Sequence, residues 1–116
     1  MNKGSSELMR GTLVTLVLSV LEARPLYGYD IARQIRSLTD GVLHLKEGSL
    51  YPALHSMERD GWLAAEWLTV EHGPSRKYYR LTRKGRVALA KRRSEWREFR
   101  DAVDAVVATH PAEGRG

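Results

Sequence analysis

Gly48-Ser49-Leu50-Tyr51-Pro52-Ala53-Leu54-His55-Ser56-Met57-Glu58-Arg59-Asp60-Gly61 is the stretch from which the fold can be read. Coiled as a helix, it places Leu50, Leu54 and Met57 on one face, at the i, i+4, i+7 spacing that buries against a core. The opposite face carries Ser49, Pro52, His55, Ser56 and Arg59, with no bulky apolar side chain among them. Proline lacks an N–H and clashes with the preceding turn, so Pro52 is expected in the first turn, with the helix starting near Glu47 or Gly48. Gly61 supplies the stop. The product is a short helix with a low-relief polar face, the form of a helix that enters a DNA major groove. A polar face that only meets water is the plain alternative, and the flanking segments must choose between the two.

Upstream, Met1 to Ser6 reads as a flexible arm and Glu7 to about Leu21 as a helix that is apolar nearly all the way round. A small domain rarely encloses such a helix by itself, which points to cover from a second subunit. Pro25 ends it. A second helix is expected from about Gly28 to Thr39, with Ile31, Ile35 and Leu38 inward, then a turn at Asp40-Gly41 and a short strand over Val42-Leu43-His44-Leu45. Downstream, Trp62 to Val70 and Arg76 to Thr82 read as two strands joined by the turn Glu71-His72-Gly73-Pro74-Ser75. Three helices followed by a hairpin is the order of a winged helix-turn-helix. The fold class is therefore mainly α with a small β-hairpin, extended by a long C-terminal helix from about Arg83 to His110. The expected division is 1–82 for the winged unit with the N-terminal helix, 83–110 for the last helix, and 111–116 for a flexible tail.

In that last helix Leu89, Trp96 and Val103 recur every seven residues, with Phe99 and Val106 on a second track that Arg92 interrupts. This is the seam of helices packing side by side. Arg97 with Asp101, and Arg100 with Asp104, are spaced for i,i+4 support on the exposed side.

The hairpin tips the balance toward DNA. Arg76, Lys77 and Arg80 put three cations on one strand beside a tight turn, and Arg83, Lys84 and Arg86 continue the basic run. A formal net charge of +5 and a pI near 9.8 suit a polyanionic partner. Arg76, Lys77 and Arg80 are assigned to phosphates, with Lys46 as a further contact ahead of the helix. Ser49, His55, Ser56 and Arg59 are candidates for base edges, with the DNA backbone as the alternative for Arg59 two turns along the helix, and Pro52 is a candidate for a thymine methyl.

The same residues exclude other classes. Cysteine is absent, which removes disulfides, thiolate metal sites and cysteine nucleophiles. The four histidines lack metal-ligand spacing, and no phosphate-cradling glycine loop or nucleophile motif occurs, so neither an enzyme nor a metal or cofactor is expected. The longest uncharged stretch, Gly11 to Leu21, is too short to span a bilayer and lacks the cleavage site of a signal peptide, so a cytoplasmic protein without membrane contact is expected. Trp62 and Trp67 are expected in the core or on a sheet face, and only one of Tyr78 and Tyr79 can point inward. A winged helix used for protein–protein contact is the competing function.

Four blocks carry a family resemblance. Tyr27-Gly28-Tyr29-Asp30-Ile31, Glu47-Gly48-Ser49-Leu50-Tyr51-Pro52-Ala53-Leu54, Glu58-Arg59-Asp60-Gly61 and the run Arg76-Lys77-Tyr78-Tyr79-Arg80-Leu81-Thr82-Arg83-Lys84-Gly85 together resemble the PadR family of bacterial transcriptional regulators. The similarity runs from about Leu13 to Gly85, and the single C-terminal helix is similar to the family's short branch. The resemblance implies a homodimeric repressor that binds double-stranded DNA at an inverted repeat and is released by small hydrophobic or aromatic effectors. It places Tyr51 in the DNA-binding helix and makes the Arg76–Lys77 hairpin the wing. It implies a dimer interface from the first and last helices: Leu13, Leu16, Val17, Leu89, Trp96, Phe99, Val103 and Val106. Trp96 and Phe99, with Leu8, Met9, Thr12 and Val14, form the expected effector cavity between subunits, although a tryptophan that simply packs the interface is the preferred reading.

Overall fold

The computed structural model describes the backbone of residues 3–69 and 71–108, and the side chains of 11–69 and 71–108. The order is α1 (Lys3–Ala23), β1 (Leu26–Tyr27), α2 (Gly28–Leu38), α3 (Glu47–Arg59), β2 (Leu63–Leu68), β3 (Arg76–Leu81) and α4 (Arg83–Val107). The strands form one antiparallel sheet in the order β1-β3-β2. This is the winged helix-turn-helix with a long terminal helix that the sequence predicts.

Several boundaries differ from expectation. α1 begins at Lys3, inside the stretch read as a flexible arm. Residues 42–45 form no strand: Val42 is 80% exposed and Leu45 alone of the four is buried, so there is no sheet face to join. The third strand is instead Leu26–Tyr27, which pairs with Tyr79 and Tyr78 immediately after Pro25. Pro52 lies in the second turn of α3, since Lys46 is the N-cap and Glu47 opens the helix. It therefore removes the bond its N–H would donate to the Gly48 carbonyl, an irregularity on the exposed side of the helix. The expected tail at 111–116 lies outside the described residues.

Leu50, Leu54 and Met57 are buried, joined by Leu13, Val17, Leu18 and Leu21 of α1, Ile31 and Ile35 of α2, and Leu63, Tyr79 and Leu81 of the sheet. Each such side chain contributes about 2 kcal/mol by leaving water. α3 ends as the composition demands. Gly61 takes φ +84°, its N–H donates to the Glu58 carbonyl at 3.0 Å, and the Trp62 N–H donates to the Met57 carbonyl at 2.9 Å. That paired closure needs a residue with positive φ just past the cap.

The junction between the sheet and α4 is tightly specified. Thr82 caps the helix, its Oγ1 accepting from the Gly85 N–H at 2.9 Å. The same hydroxyl lies 2.7 Å from the Gly61 carbonyl and 3.0 Å from that of Trp62. Gly85 sits so close to this corner that a Cβ would fall 2.1 Å from the Trp62 carbonyl oxygen. Beyond Arg93 every residue of α4 is exposed. About 20 Å of helix thus stands clear of the body, at 1.5 Å per residue, and stretches the chain to 65 × 28 × 27 Å.

Candidate nucleic-acid interface

α3 presents its polar side outward. Ser49, Pro52, His55 and Arg59 are exposed and Ser56 is half-buried, all opposite the buried Leu50, Leu54 and Met57. Arg59 leans back along its own helix, donating from Nη2 to Ser56 Oγ at 3.0 Å and lying 3.8 Å from Asp60. Lys46 stands exposed at the helix N-cap. Tyr51 is only half-buried and turns partly inward, its ring close enough to Gly28 that a Cβ there would lie 3.1 Å from it. Burial pushes its phenol pKa up, with the Glu47 charge adding to the effect.

The wing divides its cations by strand alternation. Successive side chains of a strand point to opposite faces. Lys77, Tyr79 and Leu81 therefore share the inner face with Trp67, Ala65 and Leu63 of β2, their cross-strand partners. Arg76, Tyr78 and Arg80 share the outer face. Arg76 and Arg80 are exposed, and neither enters an ion pair among the described residues. Lys77 is different. Its Nζ lies 2.8 Å from Glu58 Oε1 on α3, and it sits over the Tyr79 and Trp67 rings at 5.5 and 5.8 Å. The hydrogen bond to Glu58 is the main cause that raises its pKa. Three cations on one strand thus become two free ones and one bound, a partition that period-two geometry imposes.

Trp67, expected in the core or on a sheet face, is 66% exposed and helps to wall a cleft of about 470 Å³ between α2, α3 and the wing. Arg76 and Tyr51 line it too. A second cleft of about 390 Å³ flanks Tyr51 on its other side, lined by Arg33, Arg36, His44 and Lys46. Sequence reading singled out only Lys46 there. The other three converge through the α2–α3 turn, which no local pattern reveals.

α4 carries the apolar stripe. Trp96 is 45% exposed, Phe99 50%, Val103 40% and Val106 76%, with the Trp96 and Phe99 rings 6.1 Å apart. Leu16 of α1 is half-buried. Leu13, Val17 and Leu89, grouped with these as interface residues, belong to the chain's own core at 5%, 0% and 1% exposure and have no surface to give a second copy. Of the expected effector cavity, Thr12 and Val14 are half-buried, while the side chains of Leu8 and Met9 lie outside the described residues. Arg92, which breaks the seam, places its guanidinium 5.2 Å from the Trp62 ring, and Arg93 pairs with Glu22 of α1 at 3.0 Å. The Arg97–Asp101 and Arg100–Asp104 pairs do not form; Arg100 pairs with its neighbour Asp101 at 3.2 Å. No metal-binding group of His, Asp or Glu side chains occurs among the described residues, and none of their helices is long and apolar enough to cross a membrane.

Comparison with known proteins agrees with this architecture. A relative from Lysinibacillus sphaericus is 31% identical over 99 residues, 85% of this chain and 91% of its own. A PadR-like transcription factor from Bacteroides fragilis superposes with a TM-score of 0.76 at 31% identity, over 90% of this chain and 99% of its own. A PadR family transcriptional regulator from Eggerthella lenta gives 0.73 at 38% identity, over 91% and 90%. The profile of the transcriptional regulator PadR-like family matches residues 17–91, the span that holds the helix-turn-helix, the wing and the start of α4. With sequence and fold in agreement over that span, the chain belongs to the PadR-like family of DNA-binding transcriptional regulators.

Proposed function

We propose that the protein is a cytoplasmic homodimeric repressor, not an enzyme, that binds an inverted-repeat operator and is released by a small hydrophobic or aromatic effector. The observation that carries this reading is the division of surfaces along one chain. α3 and the outer wing face offer polar and unpaired cationic side chains, while the projecting half of α4 offers Trp96, Phe99, Val103 and Val106 with nothing to cover them. Apolar side chains at alternating spacings of three and four residues on a free helix are satisfied by a second such helix. A two-fold pair then presents two α3 helices to half-sites about one DNA turn apart, roughly 34 Å. Ser49, His55 and Ser56 read base edges and Pro52 a thymine methyl. Arg76, Arg80 and Lys46 take phosphates, and Tyr51 braces the helix against Gly28. Trp96 and Phe99, facing their symmetry mates beside α1, form the walls against which a flat effector stacks.

The test is fluorescence anisotropy with DNA from upstream of the protein's own gene and a scrambled control, across a salt series. Preferential binding, two chains per site and an affinity that falls steeply with salt are expected. Equal binding to both duplexes removes the operator reading, and absence of binding at low salt removes DNA as the partner.

A further inference from the structure

We infer that Lys77 is a positioning residue: Glu58 holds it, and the pair fixes the wing against the recognition helix instead of contacting phosphate. The inference rests on the DNA-binding reading above. Strand alternation turns Lys77 toward the inside of the hairpin, away from the face that Arg76 and Arg80 share. There it meets Glu58, in the last turn of α3, at 2.8 Å. This is the one side-chain hydrogen bond between α3 and the two hairpin strands among the described residues. The Lys77 side chain is 21% exposed and that of Glu58 35%, so water screens the pair only in part. The Nζ also lies 5.5 Å from the ring centroid of the buried Tyr79 and 5.8 Å from that of Trp67, so both rings add to what holds the ammonium beside Glu58. An ammonium committed in this way contributes little to the field that phosphates meet. Its contribution to binding is geometric: it holds the wing at one distance from the helix, which lowers the ordering cost of placing both on DNA.

Contact and positioning differ in two measurable ways. Binding affinity depends on salt with a slope of about 0.9 per phosphate neutralised, so a phosphate-contacting cation lowers that slope when removed and a positioning one does not. Removing Glu58 discriminates further. Loss of a negative charge beside DNA strengthens binding by simple electrostatics, whereas loss of the clamp weakens it.

The experiment is anisotropy on a labelled duplex that the wild-type protein has enriched from a random-sequence pool, with Glu58→Gln, Lys77→Met, their double variant and Arg76→Gln. Circular dichroism first establishes that each is folded. Expected are a Kd raised on the order of tenfold for each clamp variant, the weight of one charge-assisted hydrogen bond. The double variant should lose no more than either single, and both clamp variants should keep the wild-type salt slope while Arg76→Gln lowers it by about 0.9 per subunit, about 1.8 for two chains on one site. Tighter binding by Glu58→Gln, or a slope lowered by about 0.9 per subunit in Lys77→Met, overturns the inference and returns Lys77 to the phosphates. Should Lys77→Met not fold, the near-isosteric Glu58→Gln decides by the sign of its effect. Wild-type protein whose binding ignores salt would remove the DNA reading itself, and the inference with it.

Discussion

Gly85→Ala should destabilise the protein even though it replaces glycine by the best helix former. Gly85 is the third residue of α4, where alanine ordinarily gains up to about 1 kcal/mol over glycine. Here the added Cβ would lie 2.1 Å from the Trp62 carbonyl oxygen and 2.7 Å from Leu81 Cδ1. Carbon–oxygen contact at that range is not sustained, so the corner must open by about 1 Å in an interior without slack. The Trp62 carbonyl accepts from the Thr82 N–H at 3.1 Å and lies 3.0 Å from Thr82 Oγ1, so the same opening stretches both beyond hydrogen-bond range. Overpacking costs about 1–3 kcal/mol and loss of the cap about 1 kcal/mol. The propensity gain offsets only part, leaving a net loss of about 2 kcal/mol and a Tm lower by about 10 °C for a domain of this size. The assay is thermal unfolding by far-UV circular dichroism at fixed protein concentration, because the proposed dimerisation would couple Tm to concentration. Gly11→Ala in α1 is the internal control: nothing lies within 4 Å of its Cβ position, so there the propensity gain should appear as a raised Tm. A Tm for Gly85→Ala equal to or above wild type would refute the close approach at the Thr82 corner.

In the proposed homodimer, Val103→Asp should give monomer in sedimentation velocity, with a dissociation constant raised by about 100-fold or more, because two carboxylates would be buried where apolar side chains meet; an unchanged dimer would move the interface off α4. Thr82→Val should lower stability by about 1–2 kcal/mol in denaturant titration, since Gly85 N–H loses its acceptor, whereas Thr82→Ser should stay near wild type; a loss in Thr82→Ser with none in Thr82→Val would argue for methyl packing over the cap. Stability should hold from neutral pH to about 10 and fall above it. Tyr51 and Tyr79 are raised above 10.0 by burial, and Lys77 above 10.5 by its hydrogen bond to Glu58. In each case the folded chain holds its proton more tightly than the unfolded chain, so the stabilisation is complete below the unfolded pKa and is lost as pH rises through the folded one. Tyr79→Phe should flatten that decline, and an unaltered decline would assign it to other groups.

The residues that sequence reading placed well share one property: their neighbours are decided by the period of their own element. Leu50, Leu54 and Met57 are buried and Ser49, His55 and Arg59 exposed because a helix turns every 3.6 residues, and Tyr79 is buried beside an outward Tyr78 because a strand alternates. The misplaced residues depend on what lies opposite. Leu89 keeps the seven-residue spacing of Trp96 and Val103, yet it is enclosed where α4 still runs against α1, and the stripe becomes free surface only where the helix leaves the body. A period identifies an apolar track but not the partner at each point along it. Leu26–Tyr27 is too short to carry any alternation and is a strand only because β3 has an open edge there, while Val42–Leu45 has apolar residues but no edge to join. Lys77 shows the same dependence at the functional site. In sequence it stands between two cations of the wing; in the fold its charge is taken by Glu58, 19 residues earlier. Charge density along a chain therefore overstates what DNA can meet, because side chains on the inner face of a strand are paired within the protein before any ligand arrives.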